Sequence, residues 1–204
     1  MRYIDRLKKA PPKEAPFLPV LRPADWSLFT VCASRPLLRA RPGPGVPLVA
    51  VGRPKGDGFN LVKHGSLDEL GMRFYELEAF AIQTLCMQQS DWETLHRNEG
   101  TGRPTMLGAQ DDGVLTASRI LDVALLKRAH EIIGSPVLIA SVPTQRHLFV
   151  CDGSAVSDMS LRRAFSVWVE RHMKAAEGVD ALADTLFVIR EGEPIGTFVL
   201  PKEP

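Results

Sequence analysis

Short apolar runs and helical stripes alternate along the chain from residue 48 onward. The runs have the length and composition of strands and come in consecutive pairs: 48–52 with 59–62, 137–142 with 147–152, and 185–190 with 195–200. Between the pairs, apolar residues recur at helical spacing in three segments: 73–89, 116–134 and 160–176. Strands that come in pairs separated by helices predict an α+β fold. We expect a mainly antiparallel sheet built from hairpins, with helices packed on one face.

Local signals place the ends of several elements. Ser66 and Glu69 have the spacing of a capping box, and Gly71 is suited to end that short helix in a left-handed conformation. Thr116 or Ser118 is the predicted cap of the helix before Gly134. A short strand is predicted from Trp92 to Leu95. Residues 97–113, which follow it, are rich in loop-forming residues, so we predict a loop there.

The first 47 residues differ in composition from the rest. They hold nine of the 16 prolines and nine basic residues against three acidic ones. Proline lacks the N–H donor of a helix and restricts the residue before it, so this stretch disfavours helix. We therefore predict a Pro-rich basic arm and docking segment at 1–47, mobile over roughly 1–15, and a single α+β domain at 48–204.

Apolar residues between 17 and 29 interrupt the basic arm. Phe17, Trp26 and Phe29 are the candidates for docking, either on the main body or on a partner. A basic arm with exposed aromatic rings is also compatible with phosphate contacts and base stacking. The pattern favours a tail with solvated charges over nucleic-acid binding.

Composition narrows the classes of protein without choosing among them. The 204 residues are 45% hydrophobic and carry a net charge of +1, which points to neither nucleic acid nor a membrane surface. No apolar stretch approaches the length that crosses a bilayer. The three cysteines, Cys32, Cys86 and Cys151, are widely spaced and odd in number, so we expect free thiols and a cytoplasmic protein.

Three phrases of the sequence resemble the bacterial YtpQ-type family, a domain of unknown function. They cover residues 59–72, 115–121 and 139–150, and the resemblance extends over about 48–200. It implies the order of elements described above and brings no established activity. The family often has an acidic residue where this chain has His147, so any polar role shared by that loop does not carry over.

Sequence signatures of catalysis are missing. The chain has neither the glycine-rich cradles that hold nucleotides nor the GxSxG turn of a nucleophile. The five histidines show no spacing typical of metal ligands, so no cofactor and no metal are predicted. His147 and Cys151 fall on one predicted strand roughly 13 Å apart, too far for a dyad. We therefore interpret Cys151 as a small buried hydrophobic residue.

One polar cluster is a candidate binding site. Arg119 opens a predicted helix, Arg146 and His147 lie at a hairpin tip, and Asp152 ends the second strand of that hairpin. Loop residues often contact ligands, although loops are also polar simply because they face water.

Two functional hypotheses follow. The first, which we favour, is a non-enzymatic protein-binding or regulatory module whose partner is another protein. The alternative is a small hydrolase with a polar pocket around residues 143–152. A homo-oligomer is compatible with an exposed edge strand at 195–200, although Pro194 and Pro201 disfavour pairing there.

Overall fold

The structure, a computed structural model, describes residues 15–39, 43, 45–110, 115–154, 159–175 and 181–198. Residues 1–14 of the expected mobile arm lie outside this part. The described strands are β1 Leu18–Arg22, β2 Ser34–Pro36, β3 Leu48–Lys55, β4 Gly58–Leu61, β5 Asp91–Arg97, β6 Pro104–Gln110, β7 Val137–Ser141, β8 Phe149–Asp152, β9 Leu186–Arg190 and β10 Glu193–Phe198. The helices are α1 His64–Leu70, α2 Phe74–Cys86, α3 Val123–Ile133 and α4 Met159–Ala175, with a 3₁₀ helix at Thr116–Leu121. The α+β class is confirmed.

A six-stranded antiparallel sheet forms the larger part of the molecule, in the order β10-β9-β7-β8-β6-β5. The predicted hairpins β7–β8 and β9–β10 are both present. The prediction of a loop across 97–113 is wrong, because strand β6 lies within this range and pairs with β5 and β8. Met106 and Leu107 are adjacent in β6 and both fully buried. A strand covered on both faces lacks the alternation that identifies strands in a sequence.

Helices cover both faces of this sheet, whereas the sequence predicts helices on one face. Leu138 and Ala140 of β7 pack in a cluster with Leu126 of α3. Ile139, between them, packs in a second cluster with Phe165 of α4. Because successive side chains of a strand point to opposite faces, α3 and α4 lie on opposite sides of the sheet.

A smaller sheet is centred on β3. Strand β1 pairs with one edge of β3, and β2 and β4 pair with the other edge. The docking segment predicted from the sequence therefore contributes two strands, β1 and β2, that hydrogen-bond to β3. Leu21 and Val49 of this sheet share one buried cluster with Leu107 and Phe187 of the larger sheet. The two sheets thus have a common core.

The short helix α1 begins at His64, two residues before the predicted cap. The residue before it, Lys63, makes no side-chain capping hydrogen bond, so the capping box predicted at Ser66 is wrong. Gly71 ends the helix with φ of 60°, as predicted. That left-handed conformation favours glycine.

The cap of α3 also differs from the prediction. Thr116 and Ser118 lie inside the 3₁₀ helix and are buried. Asp122 caps α3 instead, because its carboxylate accepts the backbone N–H of Leu125 at 3.0 Å. The apolar stripe of this segment begins in the 3₁₀ helix, which is why the pattern predicts one continuous helix.

Candidate functional site

Arg119, a member of the predicted polar cluster, is fully buried. Its guanidinium donates to the backbone carbonyl of Leu85 at the end of α2 over 2.7 Å. The same group lies 3.5 Å from the carboxylate of Asp122. Arg119 therefore joins α2 to the cap of α3 and does not face a ligand at the surface.

The turn 143–147 is tied to the interior, although the sequence places it at a hairpin tip. Three hydrogen bonds join it to other described segments: Leu182 N–H to the Pro143 carbonyl (2.9 Å), Ala117 N–H to the Gln145 carbonyl (3.0 Å), and the Gln145 amide to the Leu21 carbonyl (3.2 Å). Thr144 is buried, and its hydroxyl accepts the backbone N–H of Arg146 at 3.1 Å. In this turn Arg146 is the exposed side chain.

His147 lies half-buried against α4. Its Nδ1 shares a 2.7 Å hydrogen bond with the hydroxyl of Thr144, and its ring centroid is 4.3 Å from that of His172. Trp168 stacks on His172, with the two ring centroids 5.5 Å apart. Burial, followed by the charges of His172 and Arg146, lowers the pKa of His147 to about 4. The imidazole is therefore neutral and a weak base at neutral pH.

The remaining candidates do not complete a pocket with His147. Cys151 is buried, and burial raises the pKa of its thiol to about 12, so it stays protonated; its interpretation as a buried hydrophobic residue is confirmed. Asp152 accepts the N–H and hydroxyl of Ser154 at the other end of β8. His147 lies before the first residue of this four-residue strand, so the strand separates the two side chains along the chain. The three predicted site residues therefore contact different partners and do not form one pocket: Arg119, His147 and Asp152.

A cleft of about 580 Å³ opens elsewhere, between the end of α4 and the smaller sheet. Its lining residues are Pro23, Ala24, Asp25, Gly45, Met173, Ala181, Leu182, Ala183 and Asp184. None of the predicted polar residues lies in this lining. Its polar side chains are two carboxylates, which alone define no chemistry. The cleft adjoins the residues that precede Trp26 in the chain.

The three docking candidates divide into one buried and two accessible residues. Phe17 is only 7% exposed, packs with Val51 and Leu77, and is covered by the guanidinium of Arg53, 4.1 Å from its ring centroid. Phe17 therefore packs β1 against the body of the protein, and its ring is too buried to contact a partner. Trp26 is half-buried and Phe29 is 54% exposed.

Residues 26–31 form a turn that presents apolar side chains to solvent. Leu28 is 50% exposed, Phe29 54% and Val31 46%. Single exposed apolar residues are normal on protein surfaces. Three within four residues form a local patch, which is the kind of feature that marks an interaction surface. We name these residues, together with Trp26, the apolar turn.

Local hydrogen bonds order the backbone of the apolar turn. Phe29 N–H donates to the carbonyl of Trp26 at 3.2 Å, and Val31 and Cys32 N–H both donate to the carbonyl of Leu28. His64 N–H of α1 donates to the carbonyl of Val31 at 3.0 Å. The exposed side chains are therefore held on a structured support, which reduces the entropy lost on binding.

Sequence reasoning singled out Trp26 and Phe29, included Leu28 only as part of the apolar segment that ends at Phe29, and missed Val31. The signal available was an apolar run between Pro23 and Cys32 that follows neither helical nor strand periodicity. Such a run cannot bury one face of a regular element, so its members are candidates for exposure.

No protein-family model, no curated protein and no solved structure matches this chain. Among the described residues, no three His, Cys, Asp or Glu side chains converge to hold a metal ion. No helix in that part of the chain is long and apolar enough to cross a membrane.

Proposed function

We propose that this chain is a non-enzymatic protein-binding module and that the apolar turn is its contact surface. The observation that carries the proposal is the exposure of Leu28, Phe29 and Val31 on an ordered turn. Burying such side chains releases roughly 25 cal/mol for each Å² of apolar surface removed from water. Aromatic anchors near the centre of an interface commonly dominate its affinity.

The alternative of a small hydrolase finds no support in the arrangement of its candidate residues. Arg119 is buried under α2, whereas Asp152 is the last residue of β8 and His147 lies two residues before that strand begins. Membership of the YtpQ-type family and a cytoplasmic location stay predictions from the sequence.

Affinity capture with matched variants tests the proposal. The bait is the full chain, compared with a Leu28→Ser/Phe29→Ser variant and with Ile195→Ser. Ile195 is 50% exposed on β10, so its replacement removes a similar apolar surface elsewhere. Urea unfolding of all three proteins establishes that the variants are folded.

We expect one protein in stoichiometric amount with the wild type and with Ile195→Ser, and its loss with the turn variant. Equal recovery with all three baits would contradict the apolar turn as the contact surface. Loss with Ile195→Ser alone would move the interface to the β10 edge.

A further inference from the structure

Arg22 lies beside the apolar turn at the end of β1. Its guanidinium carbon is 5.7 Å from the centroid of the Trp26 ring, a cation–π distance. The side chain is partly buried, and desolvation lowers the pKa of Arg22 while the nearby Cys32 opposes this shift. Arg22 therefore borders the turn at Trp26.

The guanidinium of Arg22 is incompletely satisfied. Its Nε atom is buried and has no hydrogen-bond partner, and no ion pair to Arg22 is found among the described residues. Asp25, three residues away, lines the cleft instead of pairing with it. Because Nε is buried, an acceptor on a partner can meet only the terminal nitrogens of Arg22, which make no hydrogen bond among the described residues.

A second cation lies next to the residue that follows the turn. Lys63 is exposed and lies opposite Cys32 in an isolated antiparallel bridge. The exposed side chains of Leu28, Phe29 and Val31 therefore belong to a surface with basic groups at its margins. A carboxylate is the acceptor that suits arginine best, because its two oxygens match the planar guanidinium.

We propose that the apolar turn binds a protein segment that carries aliphatic or aromatic side chains next to an aspartate or glutamate, with that carboxylate on Arg22. This inference rests on the proposed function and specifies the chemistry of its partner. The apolar side chains of the segment cover Phe29 and Leu28. Its carboxylate supplies the acceptor that the guanidinium lacks.

A random peptide library displayed on phage tests this inference. The library is selected separately on the immobilised full chain, on Phe29→Ser and on Arg22→Gln, and the enriched peptides are sequenced. Peptides enriched on the wild type but not on Phe29→Ser define binding to the apolar turn. We expect Asp or Glu beside apolar residues in these peptides, and we expect the acidic preference to disappear on Arg22→Gln.

The two proposals fail in different ways. Turn-dependent peptides without acidic residues, or with an acidic preference that persists on Arg22→Gln, would overturn the assignment of Arg22 and leave the protein-binding function standing. Absence of any turn-dependent peptide would overturn both.

A measurement on the wild-type protein avoids dependence on the stability of Arg22→Gln. The best acidic peptide and its Glu→Gln or Asp→Asn counterpart are compared by fluorescence anisotropy. Loss of one charged hydrogen-bonding pair is expected to weaken binding about tenfold or more. Equal affinity of the two peptides would contradict the proposal.

Two other occupants of the surface are tested alongside. Sedimentation velocity over a range of concentrations detects a second copy of the chain, and co-sedimentation with phosphatidylglycerol vesicles detects an anionic membrane. We expect neither to depend on Phe29. A dimer or vesicle binding that Phe29→Ser abolishes would overturn the assignment to a peptide segment.

Discussion

Two turns of this molecule have opposite relations between polarity and exposure. The turn 143–147 is polar, yet its backbone and the Gln145 side chain are hydrogen-bonded to three other segments. The apolar turn presents Leu28, Phe29 and Val31 to solvent on a backbone held by local hydrogen bonds. The turn 143–147, which we call the polar turn, therefore stabilises the fold. The apolar turn leaves apolar surface exposed to solvent.

The comparison shows that the polarity of a side chain does not by itself indicate whether the side chain is buried in the fold or exposed to a partner. Polar side chains in a loop are often ligands, but here Thr144 and Gln145 satisfy buried backbone groups. Apolar side chains are usually core, but Phe29 is 54% exposed while Phe17, twelve positions earlier in the chain, is 7% exposed. Four measurements test this difference between the two turns.

Replacing Arg119 by methionine should have the largest effect. It leaves Asp122 and the carbonyl of Leu85 buried without their cationic partner, which costs about 3–5 kcal/mol of the free energy of unfolding. Urea unfolding measures it. The control is Arg128→Met, which breaks the exposed ion pair with Asp91 and should cost less than about 1 kcal/mol. Equal stability of the two variants would return Arg119 to the candidate ligands.

Thr144→Val should show that the polar turn is structural. The variant removes the buried hydroxyl that accepts the N–H of Arg146 and bonds the ring of His147, so we expect a loss of about 1–3 kcal/mol. Thr30→Val in the apolar turn is the control, because Thr30 is exposed and its replacement should change stability by less than about 0.5 kcal/mol. A larger loss for Thr30→Val would reverse the comparison.

The pH dependence of stability should reveal His147. Its pKa is about 4 in the folded protein against 6.5 ordinarily, so the unfolded state binds the proton first as pH falls. The stabilisation is complete above pH 6.5 and is lost as pH falls towards 4. Allowing for partial exposure, we expect a loss of roughly 1–2 kcal/mol over this interval.

The difference between the wild type and His147→Gln isolates this effect from the titration of carboxylates. Thermal or urea unfolding at several pH values should give curves that converge as pH falls. Parallel curves would mean that the fold does not depress the pKa of His147.

Phe29→Ser should have the smallest effect on stability. Because Phe29 is largely exposed, we expect a change within about 0.5 kcal/mol together with loss of partner binding. Phe17→Ser removes the same ring from the core and should cost about 3–5 kcal/mol. A large destabilisation by Phe29→Ser would indicate that the apolar turn supports the fold rather than a partner.

Much of the secondary structure was predictable because it depends on neighbours in the chain. The hairpins β7–β8 and β9–β10 follow from paired apolar runs with short connections. Gly71 ends α1 because the left-handed conformation needs no distant partner. Trp26 and Phe29 were predicted as docking residues from their apolar character alone, which left open whether they face the body of the protein or a partner.

The tertiary structure decided three features that the sequence did not predict. They are strand β6, the covering of both faces of the large sheet, and the burial of Arg119. Met106 and Leu107 are both buried because α3 and α4 pack on opposite faces, an arrangement set by segments distant in the chain. One acceptor of Arg119 is the carbonyl of Leu85 on α2, more than thirty residues earlier. Residue type and spacing act locally, whereas burial and polar pairing are determined by long-range contacts.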